Sequence, residues 1–263
     1  NQNKFTEFDL TNYDNIEVLN LSNNLIEGEL NIAYVSNATD IDLSSNHITS
    51  LKFDSFERLS SLLIYNNNFT LATLPYLPDQ NDYVYAPQRE LQLLENAPAV
   101  NLSDENRILV DGKGTTFTWR SAADGHQLVQ GTDIDCKDGA TRFLRTDLGK
   151  VYCEMTNPAF PMFTGNNIFR TTDVNVVGAP TTVVASFKTL NDANNGEVIF
   201  AGSRKTALYI DWRGDGTEYK PYDVNTSYIA YPGQRTFAGA NVKIYTYEQP
   251  TDITVFSLYG MPM

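Results

Sequence analysis

Apolar residues over the first 80 positions recur in registered blocks. Ile16, Leu19, Leu21 and Ile26 surround Asn24. Ala38, Ile41, Leu43 and Ile48 surround Asn46, and Leu59, Leu62, Ile64 and Phe69 surround Asn67. The interval is 22 residues from 16 to 38 and 21 residues from 38 to 59. Within each block the x-L-x-L-x alternation predicts a short strand with its apolar side chains on one face. The asparagine predicts a turn just after the strand, where its amide bonds backbone groups that would otherwise be orphaned. Phe5, Phe8 and Leu10 predict a capping strand ahead of the first block, and Leu71 to Pro78 a closing segment after the third.

Three copies of L-x-x-L-x-L-x-x-N-x-L in register predict a leucine-rich repeat solenoid, in which stacked copies pair their strands in parallel over one continuous core. From about residue 83 the texture changes. Short alternating runs such as Val151-Tyr152-Cys153-Glu154-Met155 are separated by turn signals at Asp111-Gly112, Ala123-Asp124-Gly125 and Lys137-Asp138-Gly139, which predicts antiparallel β-sandwich structure. Gly178-Ala179-Pro180 marks a boundary, and alternation resumes from Thr181 to Val255. The expected fold is multidomain and mainly β. Repeats span 1–80, an immunoglobulin-like sandwich 81–178 and a second sandwich 179–263. Ile253, Phe256, Leu258, Met261 and Met263 fall at the repeat spacing and suggest the start of a further repeat.

Alternation also defines the expected binding surface, because residues between the leucines point away from the core. These are Asn20 and Ser22, Asp42 and Ser44, and Leu63 and Tyr65. The first two pairs are polar. The third puts an aromatic beside an aliphatic, either as a binding anchor or covered by residues 76 to 85 of the adjoining segment.

Composition narrows the function classes. At 41% hydrophobic and 19% charged residues the chain is globular. A net charge of −13 with no Lys/Arg cluster argues against nucleic acid and against anionic membrane surfaces. No apolar stretch reaches the roughly 20 residues of a spanning helix. The opening Asn1-Gln2-Asn3-Lys4 reads as a mature terminus, with the export signal outside this chain. Cys136 and Cys153 both sit at inward parity, which leaves open a disulfide across a sandwich core or two buried thiols.

Catalytic chemistry is not expected. The only histidines, His47 and His126, read as surface residues, and no nucleophile elbow, zinc-protease motif or phosphate loop occurs. Asp133 and Asp135 flank Ile134 and so share one strand face, a pair of the kind that serves glycoside chemistry, but on the outward face of a strand they read as solvated. Arg213-Gly214-Asp215 falls inside a Gly-Asp-Gly turn, where local backbone needs explain it. The Asp/Asn-rich stretches 192–195 and 215–218 lack the spacing of a calcium loop. No cofactor or metal is expected.

Thr116-Phe117-Thr118-Trp119-Arg120 resembles the strand that carries the core Trp of immunoglobulin-type domains. Asp147 to Cys153 resembles that fold's D-x-G-x-Y-x-C strand, with Val151 in the tyrosine place and no partner cysteine upstream of the Trp. Trp212 with Gly214-Asp215-Gly216 resembles the turn of polycystic-kidney-disease-type sandwiches. Together with Tyr83-Val84-Tyr85-Ala86-Pro87-Gln88 and Val151 to Pro161, residues 16–172 resemble the surface leucine-rich repeat proteins of Bacteroidetes-type bacteria, and in general plan the internalins. The resemblance implies a secreted or cell-surface location and adhesion to, or capture of, a protein or glycan. Two other readings stand beside it: a structural spacer whose binding site lies outside this chain, and a carbohydrate-active accessory protein or hydrolase.

Overall fold

Strand pairing in the first third of the chain follows the repeat. The computed structural model describes residues 4–179 apart from 12, 14, 56, 81 and 104–108, and beyond these the backbone of seven further strands. Strands β1 (Val18–Asn20), β3 (Asp40–Asp42), β5 (Ser61–Leu63) and β6 (Asp82–Val84) form one parallel sheet in that order; β2 (Glu27–Asn31) and β4 (His47–Lys52) pair in parallel as a second sheet. The register aligns Leu19, Ile41, Leu62 and Tyr83. Leu21, Leu43, Ile64 and Tyr85 follow two residues later, and all eight are buried. Stacking sets the equivalent side chain of each rung on the next, so burying each Leu or Ile contributes roughly 1.5–3 kcal/mol.

The stack has four rungs, one more than the three expected, and so runs past residue 80. Tyr83 and Tyr85 take the two leucine places and Gln88 the asparagine place. The intervals from Leu19 to Ile41, Leu62 and Tyr83 are 22, 21 and 21 residues. The stretch from Leu71 to Pro78 connects rungs three and four, with Leu71 and Leu74 buried and the Tyr83 hydroxyl donating to Pro75 O at 2.8 Å. At the other end Phe5 O accepts from Leu25 N at 2.8 Å, and Leu10 is buried. That segment caps rung one through its turn and forms no strand.

Each of the first three rungs bends through a residue at positive φ, Asn23 (58°), Ser45 (60°) and Asn66 (54°), one position before the asparagine. Asn and Ser tolerate this left-handed conformation through their short polar side chains. Rung four has Pro87 at that position instead, joined to Ala86 by a cis peptide bond.

Further along, the strands are β7 (Asn96–Ala97), β8 (Ala99–Asn101), β9 (Leu109–Val110), β10 (Lys113–Gly114), β11 (Thr116–Ser121), β12 (Ile134–Lys137), β13 (Ala140–Phe143), β14 (Lys150–Thr156), β15 (Phe169–Arg170) and β16 (Val174–Val176). Contacts group the chain into two compact units. One comprises Asn1–Leu93, Leu102–Leu128 and Val151–Asp173; the other comprises Leu94–Asn101, Val129–Lys150 and Val174–Met263. In the first unit β11, β14 and β15 are antiparallel neighbours, with Trp119 opposite Cys153 and both buried. In the second, β12, β13 and β8 are antiparallel and β7 pairs with β16 in parallel.

The remaining strands of the second unit are β17 (Thr182–Lys188), β18 (Glu197–Ala201), β19 (Thr206–Asp211), β20 (Lys220–Val224), β21 (Ser227–Ala230), β22 (Asn241–Thr246) and β23 (Thr254–Leu258). They form two antiparallel sheets, β17-β22-β19-β20 and β21-β18-β23. The stretch with repeat-like spacing near the C-terminus is thus in part an antiparallel partner of β18, where a repeat strand would pair in parallel. Ile253, Met261, Met263, the Trp212 to Gly216 turn with its Arg213-Gly214-Asp215 tripeptide, and stretches 192–195 and 215–218 lie outside the described residues. The described chain is mainly β and contains no α-helix; none of its helices is long and apolar enough to cross a membrane.

Candidate functional site

The outward face of the four-rung sheet is laid down by strand parity, and its chemistry changes from rung to rung. On rung one Asn20 is exposed, but Ser22 is 6% exposed. Asn20 Oδ1 accepts from Ser22 N at 3.1 Å and from Ser22 Oγ at 2.8 Å. Rung two repeats the device. Asp42 Oδ1 accepts from Ser44 N at 3.0 Å and Ser44 Oγ at 2.6 Å, and Ser44 is 2% exposed. Asn20 Nδ2 reaches Asp42 Oδ2 at 3.4 Å. The strands end at Asn20 and Asp42, so alternation stops there and an Asx turn folds each serine inward. Parity alone places Ser22 and Ser44 outward; the turn makes them structural, with Asn20 and Asp42 as their acceptors.

Rungs three and four lack this device. Leu63 and Tyr65 occupy the corresponding places, followed by Val84 and Ala86. Leu63 is paired with Val84 in register, and Leu63, Tyr65 and Val84 are each half-buried. Val18, at the far edge of the same face, is 67% exposed. At the Asn20, Asp42, Leu63 and Val84 positions the face therefore runs from hydrogen-bonded polar groups to partly open apolar ones. Two residues earlier it carries Val18, Asp40, Ser61 and Asp82, all on a rigid scaffold suited to contact with a partner surface.

Rigidity comes from the amide ladder behind that face. Asn46 Nδ2 donates to Leu21 O of the preceding rung at 2.9 Å and Leu43 O of its own at 3.1 Å, while its Oδ1 accepts from Ile26 N at 3.1 Å. Asn67 repeats this with Leu43 O, Ile64 O and Ile48 N at 2.9, 3.1 and 3.0 Å. Gln88 continues it, its Nε2 on Ile64 O at 2.9 Å and its Oε1 accepting from Asn67 N and Phe69 N, both at 3.2 Å. Sequence reading missed Gln88 because it searched for Asn; a buried amide 21 residues after Asn67 was the available signal.

An aromatic cluster closes the stack after rung four. Tyr85 meets Phe160 and Phe163 edge-to-face at centroid distances of 5.4 and 5.3 Å, and Phe163 stacks on Phe169 at 5.4 Å. The Tyr85 oxygen accepts from Met162 N at 3.0 Å. Burial pushes the Tyr83 phenol well above its ordinary value of 10.0 and raises that of Tyr85. Arg170 completes this side of the unit. It bonds Glu90 Oε1 at 2.7 Å and lies over the Tyr152 ring at 4.4 Å.

A groove of about 500 Å³ opens where residues 89–92 leave rung four. Its walls are His47, Thr49, Asn68, Thr70, Thr73, Arg89, Glu90 and Gln92, with Phe69, Leu91 and Phe169 as its apolar part. Arg89 Nε crosses to Asn46 O at 3.2 Å, and Leu91 N donates to Arg170 O at 3.0 Å.

The residues weighed for other chemistry have structural roles. Asp133 is buried, a correction to its expected solvated place, because it precedes β12 and parity does not govern it. It accepts from Val129 N at 2.9 Å and pairs with Arg145 at 3.1 Å. Asp135 is exposed and hydrogen-bonded to Gln130. His126 is exposed and pairs with Asp124 at 2.6 Å in its turn. Of the two readings for the cysteines, the structure has both as thiols, with Cys153 buried and Cys136 half-buried. Among the described residues no three His, Cys, Asp or Glu side chains converge as a metal site. Comparison with protein-family models, with curated proteins and with solved structures found no match for this chain.

Proposed function

We propose that this chain is an extracellular binding or adhesion module of a bacterial surface protein, a short leucine-rich repeat solenoid joined to an immunoglobulin-like sandwich and a second sandwich. Its ligand is a protein or glycan held on the strand face of rungs three and four. The single observation that carries this reading is the apolar half of that face, where Leu63, Tyr65 and Val84 lie together half-exposed beside rungs whose polar groups are already spent on turns. Partly exposed aromatic and aliphatic side chains on a rigid sheet are the usual anchors of protein recognition. Support for the immunoglobulin-like part is the buried Trp119 beside Cys153 on antiparallel neighbours.

The test is binding of the purified chain to an array of extracellular matrix proteins and glycans, with a Leu63→Asp, Tyr65→Ala variant alongside. Loss of a hit in a variant with unchanged circular dichroism supports recognition on the repeat face. A hit that survives moves the site elsewhere on the molecule, and no hit favours the spacer.

A further inference from the structure

We propose that the groove between rungs two and three and the departing segment 89–92 is a binding site for a short neutral oligosaccharide. It lies apart from the strand face and stands independently of that reading. The groove exists because rung four does not continue along the flank. Asn68 N still follows the ladder to Ile48 O at 2.9 Å, but after Arg89 the chain turns away to bridge Leu91 with Thr171. The place where a further flank strand would lie is open and measures about 500 Å³. That falls within the roughly 300–1,000 Å³ of small-ligand sites and has room for about two or three sugar rings.

The lining chemistry selects the ligand class. Hydroxyl, amide, imidazole, guanidinium and carboxylate groups stand around one opening, which suits a ligand whose surface is dense in hydroxyls, each both donor and acceptor. The polar groups are held in place before any ligand arrives. Arg89 is fixed by Asn46 O, Glu90 by Arg170 at 2.7 Å, and Gln92 Nε2 by Glu90 O at 3.1 Å. Such tethering lowers the ordering cost of binding. Arg89 uses one of the five guanidinium donors on Asn46 O, and Glu90 has carboxylate lone pairs beyond the one facing Arg170. Arg89 and Glu90 cancel in formal charge, and the net charge of −13 disfavours an anionic ligand. The half-buried Leu91 gives the C–H face of a sugar an apolar contact, while Phe69 and Phe169 on the same lining are buried.

The experiment is calorimetric titration of the full chain with neutral trisaccharides (gluco-, manno-, xylo- and galacto-configured), and with a sialylated trisaccharide and a tripeptide as contrasts. The Thr49→Trp chain fills the groove from an exposed position. Gln92→Ala, also at an exposed position, provides the same reading should the larger residue disturb folding. The expected result is binding of at least one neutral trisaccharide, weakened about tenfold or more by Thr49→Trp and measurably by Gln92→Ala. Lys137→Ala, at an exposed position outside both surfaces, leaves it unchanged. Failure of every neutral sugar to bind, binding confined to the charged sugar or the peptide, or affinity unaltered in both folded groove variants overturns the proposal. Sugar binding that survives both groove variants but is lost in Leu63→Asp would belong to the strand face, and absence of sugar binding leaves recognition of a protein by that face untouched.

Discussion

Asn67 is fully buried, and its side-chain amide ties rung two to rung three. Its Nδ2 serves the strand-end carbonyls of rungs two and three, Leu43 O and Ile64 O, its Oδ1 serves Ile48 N, and its own backbone N–H is held by Gln88 of rung four. Truncation orphans Ile48 N in a dry interior, while Leu43 O keeps Asn46 Nδ2 and Ile64 O keeps Gln88 Nε2 as their remaining donors. One orphaned donor costs about 1–3 kcal/mol and the two weakened carbonyls add to it, so Asn67→Ala is expected to destabilise the chain by roughly 2–3 kcal/mol. Asn20→Ala provides the contrast, because Asn20 is exposed and water replaces its bonds to Ser22; the expected loss there is about 1 kcal/mol or less. Urea denaturation followed by circular dichroism reads both, and equal losses would contradict the distinction between ladder and face. This residue-level logic was largely legible in the sequence, since the spacing from Asn24 to Asn46 to Asn67 announced the ladder. The inward fold of Ser22 and Ser44 was not, because strand parity takes no account of an Asx turn that ends the strand.

Rung four carries the same geometry in different residues, and for that reason it was invisible to a search for leucine and asparagine. Tyr83 and Tyr85 supply more apolar area than the leucines they replace, with hydroxyls that need partners, and the structure provides Pro75 O and Met162 N. Aromatic bulk suits this rung because it must meet Phe160 and Phe163 where the other rungs meet another repeat. Contacts separated by about 75 residues cannot be read from local pattern, which is why the segment is assigned from sequence to the sandwich that follows. Replacing Tyr85 by Ala removes the centre of that cluster and is expected to cost about 3–5 kcal/mol, the range for large aromatic truncations in cores. A pH prediction belongs to the same element. The phenols of Tyr83 and Tyr85 are raised above 10.0 in the folded chain by burial. Below that value both folded and unfolded states are neutral and stability does not depend on these groups. Above it the unfolded chain loses its phenolic protons first, so stability falls as pH rises past about 10 toward the higher folded values. Urea midpoints at pH 8, 9.5 and 11 test this. A Tyr83→Phe, Tyr85→Phe chain should show a shallower alkaline decline.

On the scale of the molecule, the solenoid is not a contiguous domain that ends with its last rung. The first compact unit takes residues from three separate stretches, and its last stretch, Val151–Asp173, supplies the cap. Phe160, Phe163 and Phe169 cover the end of rung four, and Arg170 holds Glu90. A repeat array with an uncovered end exposes the apolar face that its next neighbour would bury, and short arrays tolerate this least. A fragment of residues 1–93 contains all four rungs and none of these capping groups. It is expected to lose the sharp urea transition of the full chain, and its β6 amides should exchange within the time that protects them in the intact protein. A fragment with an unchanged midpoint would mean that four rungs suffice and that the aromatic cluster contributes little. The energetics argue otherwise. Tyr85 is 4% exposed in the folded chain, and without residues 151–173 it loses its contacts with Phe160, Phe163 and Met162 N. At about 25 cal/mol per Å², the rings of Tyr85 and its two phenylalanine neighbours, Phe160 and Phe163, account for several kcal/mol of a total that seldom exceeds about 15. The cap is thus large relative to the margin by which such a short stack is folded.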